Sequence, residues 1–262
     1  MMARRPLVGG NWKMHLVPDD ALRLAADLLA GADAARSCDL AVFPSHPLIP
    51  GVYALLSGSP IAVGGQDLHP EAAGAYTGDV AGEQLAACGC SWVLCGHSER
   101  RHGHQESDEL VGRKVAAALR AGLAPMICVG ETLEERRGEQ TEEVVERQAR
   151  TALAAIFERA GEETHFALAY EPVWAIGSGE TATPEMAQEV HALLRDMLSR
   201  LLGGQQAAAT RIVYGGSVKP SNAAALAAQE DIDGFLVGGA SLKAEDFLSI
   251  VRCIGSMAEE DA

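Results

Sequence analysis

The sequence predicts an α/β chain closed as a (β/α)8 barrel, eight parallel strands ringed by helices, and two observations carry that prediction. Short apolar runs alternate with longer stretches of helical period from end to end, and eight such runs can be counted, each followed by a helical stretch, as a barrel of this kind requires. The competing α/β architecture is an open doubly wound sheet, which usually carries a Gly-rich phosphate turn after its first strand. Here the first strand ends in Gly9-Gly10-Asn11-Trp12-Lys13, with no GxGxxG fingerprint.

In chain order, run 7–12 opens the barrel and 19–29 follows it with helical period. Runs 40–43 and 61–64 give the second and third strands, and 92–95 the fourth, before a helix over 107–121. The fifth strand, 125–129, leads into a helix over 141–159, and the sixth, 165–170, precedes a helix over 184–202. Strand seven at 211–214 and strand eight at 232–237 are followed by helices over 221–228 and 245–254. Every run is four to six residues of mostly Val, Leu and Ile without clean alternation, which suits strands buried on both faces of a parallel sheet. Ser107 before Asp108-Glu109, Thr183 before Pro184, and Ser221 supply helix caps. No Pro/Ser-rich linker or compositional break divides the chain. Residues 1–262 therefore read as one barrel domain, with Glu259-Glu260-Asp261-Ala262 as a frayed tail.

At 262 residues and 48% hydrophobic content the chain can fill a large core, and with only 5% aromatics that core must be built from Ala, Leu, Val and Ile. A formal charge of −15 argues against nucleic acid or an anionic membrane surface as the main partner. An anionic ligand would need a local positive site. The six cysteines lack the paired spacing of a disulfide framework, and Cys95 and Cys128 lie inside apolar runs, where a thiol is usually a small buried hydrophobe. Cys88-Gly89-Cys90 has no second pair or His cluster at zinc-site spacing, so no metal is expected. Two arginines near the N-terminus have no long apolar stretch behind them, and no run approaches the ~18 apolar residues of a membrane span. A reducing cytoplasm is the simple expectation.

Chemistry in such a barrel collects at the carboxyl ends of the strands. Strand six delivers Glu171 there, followed by Pro172 and a bulky apolar tip, Val173-Trp174-Ala175-Ile176, that ends in Gly177-Ser178-Gly179. This is the pattern of a general base with a closing lid, loop 172–181. Strand one ends at Asn11 and Lys13, and strand four in Gly96-His97-Ser98-Glu99. Strands seven and eight end in Gly215-Gly216-Ser217 and Gly238-Gly239-Ala240-Ser241. Each has a bland reading: a lone lysine is usually solvated, His97 could be a core histidine, and His102 and His104 read as surface residues. Two glycine-rich turns on adjacent strands, however, form a phosphate cradle in which backbone N–H groups hold the dianion. Neutral dipoles would then do most of the holding, with Lys13 as the one local cation.

Read together, the motifs resemble the triosephosphate isomerase family from end to end. The resemblance runs through Gly10-Asn11-Trp12-Lys13-Met14, Gly65-Gln66-Asp67, Gly74-Ala75-Tyr76-Thr77-Gly78 and Gly96-His97-Ser98-Glu99-Arg100-Arg101. It continues through Cys128-Val129-Gly130-Glu131, Ala169-Tyr170-Glu171-Pro172-Val173-Trp174-Ala175-Ile176-Gly177, Tyr214-Gly215-Gly216-Ser217-Val218 and Val237-Gly238-Gly239-Ala240-Ser241. The resemblance implies a TIM barrel that interconverts dihydroxyacetone phosphate and D-glyceraldehyde 3-phosphate through an enediolate, in glycolysis and gluconeogenesis, without metal or cofactor. It implies Glu171 as the base moving a proton between C1 and C2, and His97 as an uncharged electrophile at the start of a helix; this family is a standard illustration of such acid–base tuning. Lys13 and Asn11 would stabilise the enediolate charge, Glu99 would organise Lys13, and backbone at Gly177, Ser217, Gly238 and Gly239 would hold the phosphate. It further implies a homodimer through segment 65–79, with Thr77 reaching the partner's site.

Departures are few. The family's lid commonly ends in Gly-Thr-Gly-Lys-Thr-Ala, whereas here it reads Gly177-Ser178-Gly179-Glu180-Thr181-Ala182, with a reversed charge at Glu180. Met14 and Cys95 read as packing residues. Other phosphate-binding barrels, such as an aldolase or a tryptophan- or histidine-pathway isomerase, compete with this reading. An aldolase would need a Schiff-base lysine, typically on strand six, which presents Glu171 instead. A barrel that had lost catalysis for a binding role would be expected to have replaced Lys13, His97 or Glu171, and all three are present.

Overall fold

The computed structural model describes residues 4–157, 164–175 and 182–260. Strand β1 (Leu7–Asn11) is followed by α1 (Pro18–Ala30), β2 (Asp39–Phe43), α2 (Ile49–Leu56), β3 (Ile61–Gly65), α3 (Gly82–Ala87) and β4 (Trp92–Cys95). The chain continues through α4 (Ser98–Gly103), α5 (Asp108–Arg120), β5 (Ala124–Val129), α6 (Leu133–Arg137), α7 (Thr141–Phe157) and β6 (Ala167–Tyr170). It ends with α8 (Pro184–Leu202), α9 (Gly204–Ala209), β7 (Arg211–Tyr214), α10 (Ala223–Ala227), β8 (Gly234–Val237) and α11 (Ala244–Glu260). The strands pair in sequence order, all parallel, and β8 returns to β1 through Leu7 opposite Gly234, which closes the barrel.

Two layers of core hold this shape. Inside the barrel lie Leu7, Phe43, Leu94, Met126, Cys128, Val213 and Leu236, with Ala41, Ala167 and Ala169 filling the narrower levels. Phe43 needs room across the barrel, and Gly64 provides it: a Cβ there would stand 2.5 Å from the Phe43 ring. A second, larger cluster packs the outward faces of the strands against the helices and includes Val8, Val42, Val93, Ile127, Leu168, Ile212 and Phe235. Strands buried on both faces explain why their sequence pattern is a continuous apolar run.

Several expectations need correction at their ends. Strand β8 begins at Gly234 rather than 232, and only glycine fits there: its φ is +151°, and a Cβ would lie 1.8 Å from the Leu7 carbonyl oxygen. Strand β6 begins at Ala167 rather than 165. Ser107 and Thr183 cap α5 and α8, accepting from the amides of Leu110 and Met186, each at 3.2 Å. Ser221 does not cap. Asn222 stands at that position, and its side chain turns back to the preceding loop, so α10 is shorter than the predicted 221–228. Glu259 and Glu260, read as a frayed tail, continue α11.

Cys95 is fully buried, but Met14 is 94% exposed and packs into no core of this chain, contrary to its reading as a packing residue. All six cysteines are free thiols. Among the described residues no helix is long and apolar enough to cross a membrane, and no group of His, Cys, Asp and Glu could hold a metal ion.

Candidate active site

Strand β1 ends at Asn11, and two residues later Lys13 takes a left-handed backbone with φ of +49°, a conformation that costs a non-glycine residue energy and must be held by its surroundings. The Lys13 amide donates to Asn11 Oδ1 at 3.0 Å, and Gln66 Nε2 donates to the Lys13 carbonyl at 2.7 Å and to the Phe43 carbonyl at 2.9 Å. So anchored, Lys13 Nζ lies 2.7 Å from Glu99 Oε1. Partial burial alone would raise the Glu99 carboxyl. The hydrogen bond and charge of Lys13 outweigh it and, with His97 and His15, hold that carboxyl below its usual range.

His97 occupies the N-cap of α4 and is buried. Its Nδ1 accepts from the Glu99 amide at 3.2 Å. A ring nitrogen that accepts carries no proton, so the neutral imidazole bears its hydrogen on Nε2. That atom lies 3.1 Å from Glu171 Oε1.

Glu171 follows β6 directly, and its amide donates to the Val129 carbonyl at 2.8 Å. The side chain is 2% exposed. Oε2 accepts from the Ser98 amide at 2.8 Å, while Oε1, despite its closeness to His97, is not in hydrogen-bonding geometry with any group. A buried carboxylate oxygen without a partner is costly and is therefore a strong acceptor toward whatever enters beside it. The wall behind it is tight: a Cβ on Gly215 would stand 2.8 Å from Glu171 Cγ. Burial, followed by the Glu171 charge, pushes the neighbouring Cys128 thiol far up.

These groups open onto one cleft of about 430 Å³, which Gly215, Gly216, Ser217, Gly238 and Gly239 also line. Gly239 faces open space, and the Ser241 hydroxyl braces its turn by donating to the Gly238 carbonyl at 2.7 Å. The structure thus brings Asn11, Lys13, His97, Glu99, Glu171, Ser217, Gly238 and Gly239 around a single cavity. Gly177 and the rest of the lid from 176 to 181 lie outside the described residues. Thr77 is exposed and does not line this chain's own cleft.

Sequence reasoning missed several residues. Lys219 and His15 also line the cleft, so Lys13 is not its one cation. Gln66 was legible only as part of a motif; its grip on Lys13 spans 53 positions of sequence. Glu131, wholly buried, accepts from Tyr170 Oη at 3.1 Å, Trp174 Nε1 at 2.9 Å and Arg136 at 3.2 Å. Arg136 lies over the Trp174 ring at 4.8 Å, so the stem of the lid is tied to the end of β5. The signal for Glu131 was a carboxylate at a strand end, which alone does not say what it touches.

A model of the triosephosphate isomerase family matches residues 6–254. Among curated proteins, the triosephosphate isomerase of Bordetella pertussis is 53% identical over 249 residues, covering 94% of this chain and 96% of that protein. Those of Chloroflexus aurantiacus and Magnetococcus marinus are 48% and 45% identical, each over 95% of this chain and over 99% and 98% of their own lengths. With a match over nearly its whole length and the cleft in the place the barrel prescribes, the chain belongs to the triosephosphate isomerase family.

Proposed function

We propose that the chain interconverts dihydroxyacetone phosphate and D-glyceraldehyde 3-phosphate by proton transfer through an enediolate, in the cytoplasm, as a step of glycolysis and gluconeogenesis. The observation that carries this reading is the meeting of an unpartnered Glu171 oxygen, the Nε2–H of His97 and the Lys13 ammonium on one cleft. Glu171 takes the proton from the carbon next to the carbonyl and returns it to the other carbon. His97, donating through Nε2 while its Nδ1 is engaged, polarises the substrate carbonyl and moves protons between the two oxygens. Lys13 and Asn11 stabilise the negative charge that develops on them. The turns at Ser217 and Gly238–Gly239, joined by Gly177 from the lid, hold the phosphate through backbone N–H groups. A proton α to a carbonyl with a stabilised oxyanion calls for no metal or cofactor.

A coupled assay on purified protein with D-glyceraldehyde 3-phosphate tests the reading. Glu171→Asp should lower kcat by about 10²-fold or more, because the carboxylate retreats by one bond and misplacements of about 1 Å have that cost. Full activity of that variant would remove Glu171 from the role.

We also propose a homodimer through segment 65–79, with Thr77 completing the partner's site. Residues 71–79 are all exposed in the isolated chain, and Met14 and Val17 are 94% and 60% exposed, an apolar surface that a second copy would cover. Equilibrium sedimentation should give a species of twice 27.5 kDa. A fully active monomer would refute it.

A further inference from the structure

The cleft must attract a dianion to a chain whose formal charge is −15, and two of its lining residues, Glu99 and Glu171, are carboxylates. Lys13 is matched by Glu99 at 2.7 Å, so that pair offers little net charge to a ligand arriving from solvent. Lys219 is different. It lines the same cleft, is exposed, and makes no ion pair among the described residues.

Its place is also built. Asn222 Oδ1 accepts from the Lys219 amide at 2.8 Å, while Asn222 Nδ2 donates to the Ser217 carbonyl at 2.9 Å. The backbone of Lys219 is thereby fixed beside the turn that carries Ser217. Lys13 also reaches the turns, its Nζ 4.0 Å from where a Cβ on Gly238 would stand, but its charge is paired with Glu99.

We propose that Lys219 is a positioning residue for the phosphate: its unmatched charge draws the dianion into the cleft and holds it there without joining the proton transfer. This rests on the isomerase reading above. A charge of this kind acts on bound substrate and transition state alike, because the phosphate does not change during the reaction. It therefore changes KM and kcat/KM and leaves kcat alone. Being exposed, it is also screened by salt. A merely solvated lysine would show neither effect.

The test compares wild type with Lys219→Met, Lys219→Glu and Lys219→Arg in steady-state kinetics across ionic strength. At about 10 mM salt, where the screening length is about 30 Å, Lys219→Met should lose about 3–10-fold in kcat/KM. Lys219→Glu should lose more and Lys219→Arg little, with kcat held within about two-fold in all three. The gap should narrow near 1 M salt, and competitive inhibition by inorganic phosphate should weaken in parallel. A methionine variant with wild-type kcat/KM and salt slope would overturn the proposal, as would a kcat that falls in step with kcat/KM. Wild-type protein inactive on triose phosphates would instead retire the isomerase reading, and equilibrium titration with inorganic phosphate would still read Lys219 directly.

Discussion

Glu171 is held at one oxygen and free at the other, and the surrounding residues decide which is which. Ser98 donates to Oε2, and Oε1, itself buried, lies 3.1 Å from His97 Nε2. Gly215 sets the depth at which this carboxylate sits, since any side chain there meets Glu171 Cγ at 2.8 Å and the Tyr170 carbonyl oxygen at 3.3 Å. Gly215→Ala should accordingly move the carboxylate rather than unfold the barrel. The expected result is a kcat lower by about 10–10²-fold, the cost of a displacement near 1 Å, with a thermal midpoint close to wild type. Kinetics unchanged beside an unchanged midpoint would mean that the wall does not position Glu171 for the proposed reaction. The residue identities at this site were open to sequence reasoning, because Glu171, His97 and Lys13 each stand at a strand end. The free oxygen and the strained Lys13 backbone were not, since each depends on a partner distant in sequence, Ser98 for Glu171 and Gln66 for Lys13; the imidazole tautomer depends on the backbone geometry of the turn from His97 to Glu99.

Among the elements, residues 171–175 show how the segment after β6 is fastened to the end of β5. Glu131 collects hydrogen bonds from Tyr170 on β6 and Trp174 in the stem, and its backbone carbonyl accepts from the Val173 amide at 3.1 Å. Burial, followed by the Glu131 charge, pushes the Tyr170 phenol far above its usual range, so it remains a donor. Glu131→Gln can keep an oxygen toward Trp174 and Arg136, but it turns an N–H₂ group toward the Tyr170 hydroxyl and removes the charge that pairs with Arg136. The variant should lose about 1–3 kcal/mol of stability. Under the proposed lid role it should also release more inorganic phosphate per turnover, because a loosened stem would retain the enediolate less well. Unchanged partitioning between isomer and free phosphate would separate the stem from lid function. The strands around this stem were readable as unbroken apolar runs, whereas α4, α6 and α9 were not. Those helices are five or six residues long, too short to repeat a 3.6-residue period, and local caps and tertiary contacts fix them instead.

Across the whole molecule the barrel must keep buried polar groups behind its active face, and His191 is one with a measurable consequence. It lies on α8, fully buried, between Tyr170, which precedes Glu171, and Tyr214, which precedes Gly215-Gly216-Ser217; its ring centroid is 5.9 Å and 6.3 Å from theirs. Nδ1 donates to the Asp231 carbonyl at 3.0 Å, and Nε2 has no partner. Burial lowers its pKa to about 4, with the nearby Arg195 charge acting in the same direction and Asp231 opposing it. The sign follows from linkage. Above about pH 6.5 the histidine is neutral in both folded and unfolded chains and costs nothing. Between that pH and about 4 the unfolded chain takes up a proton that the folded chain refuses, so stability falls by about 3 kcal/mol across the window. His46, also lowered by burial, adds in the same direction. His191→Asn keeps a donor for Asp231 but cannot titrate. Chemical unfolding at a series of pH values should show the variant less stable than wild type at pH 7.5, with the gap closing as pH falls toward 4.5. Parallel stability curves for the two proteins would mean that His191 charges inside the fold, and that the interior behind the lid is wetter than its burial indicates.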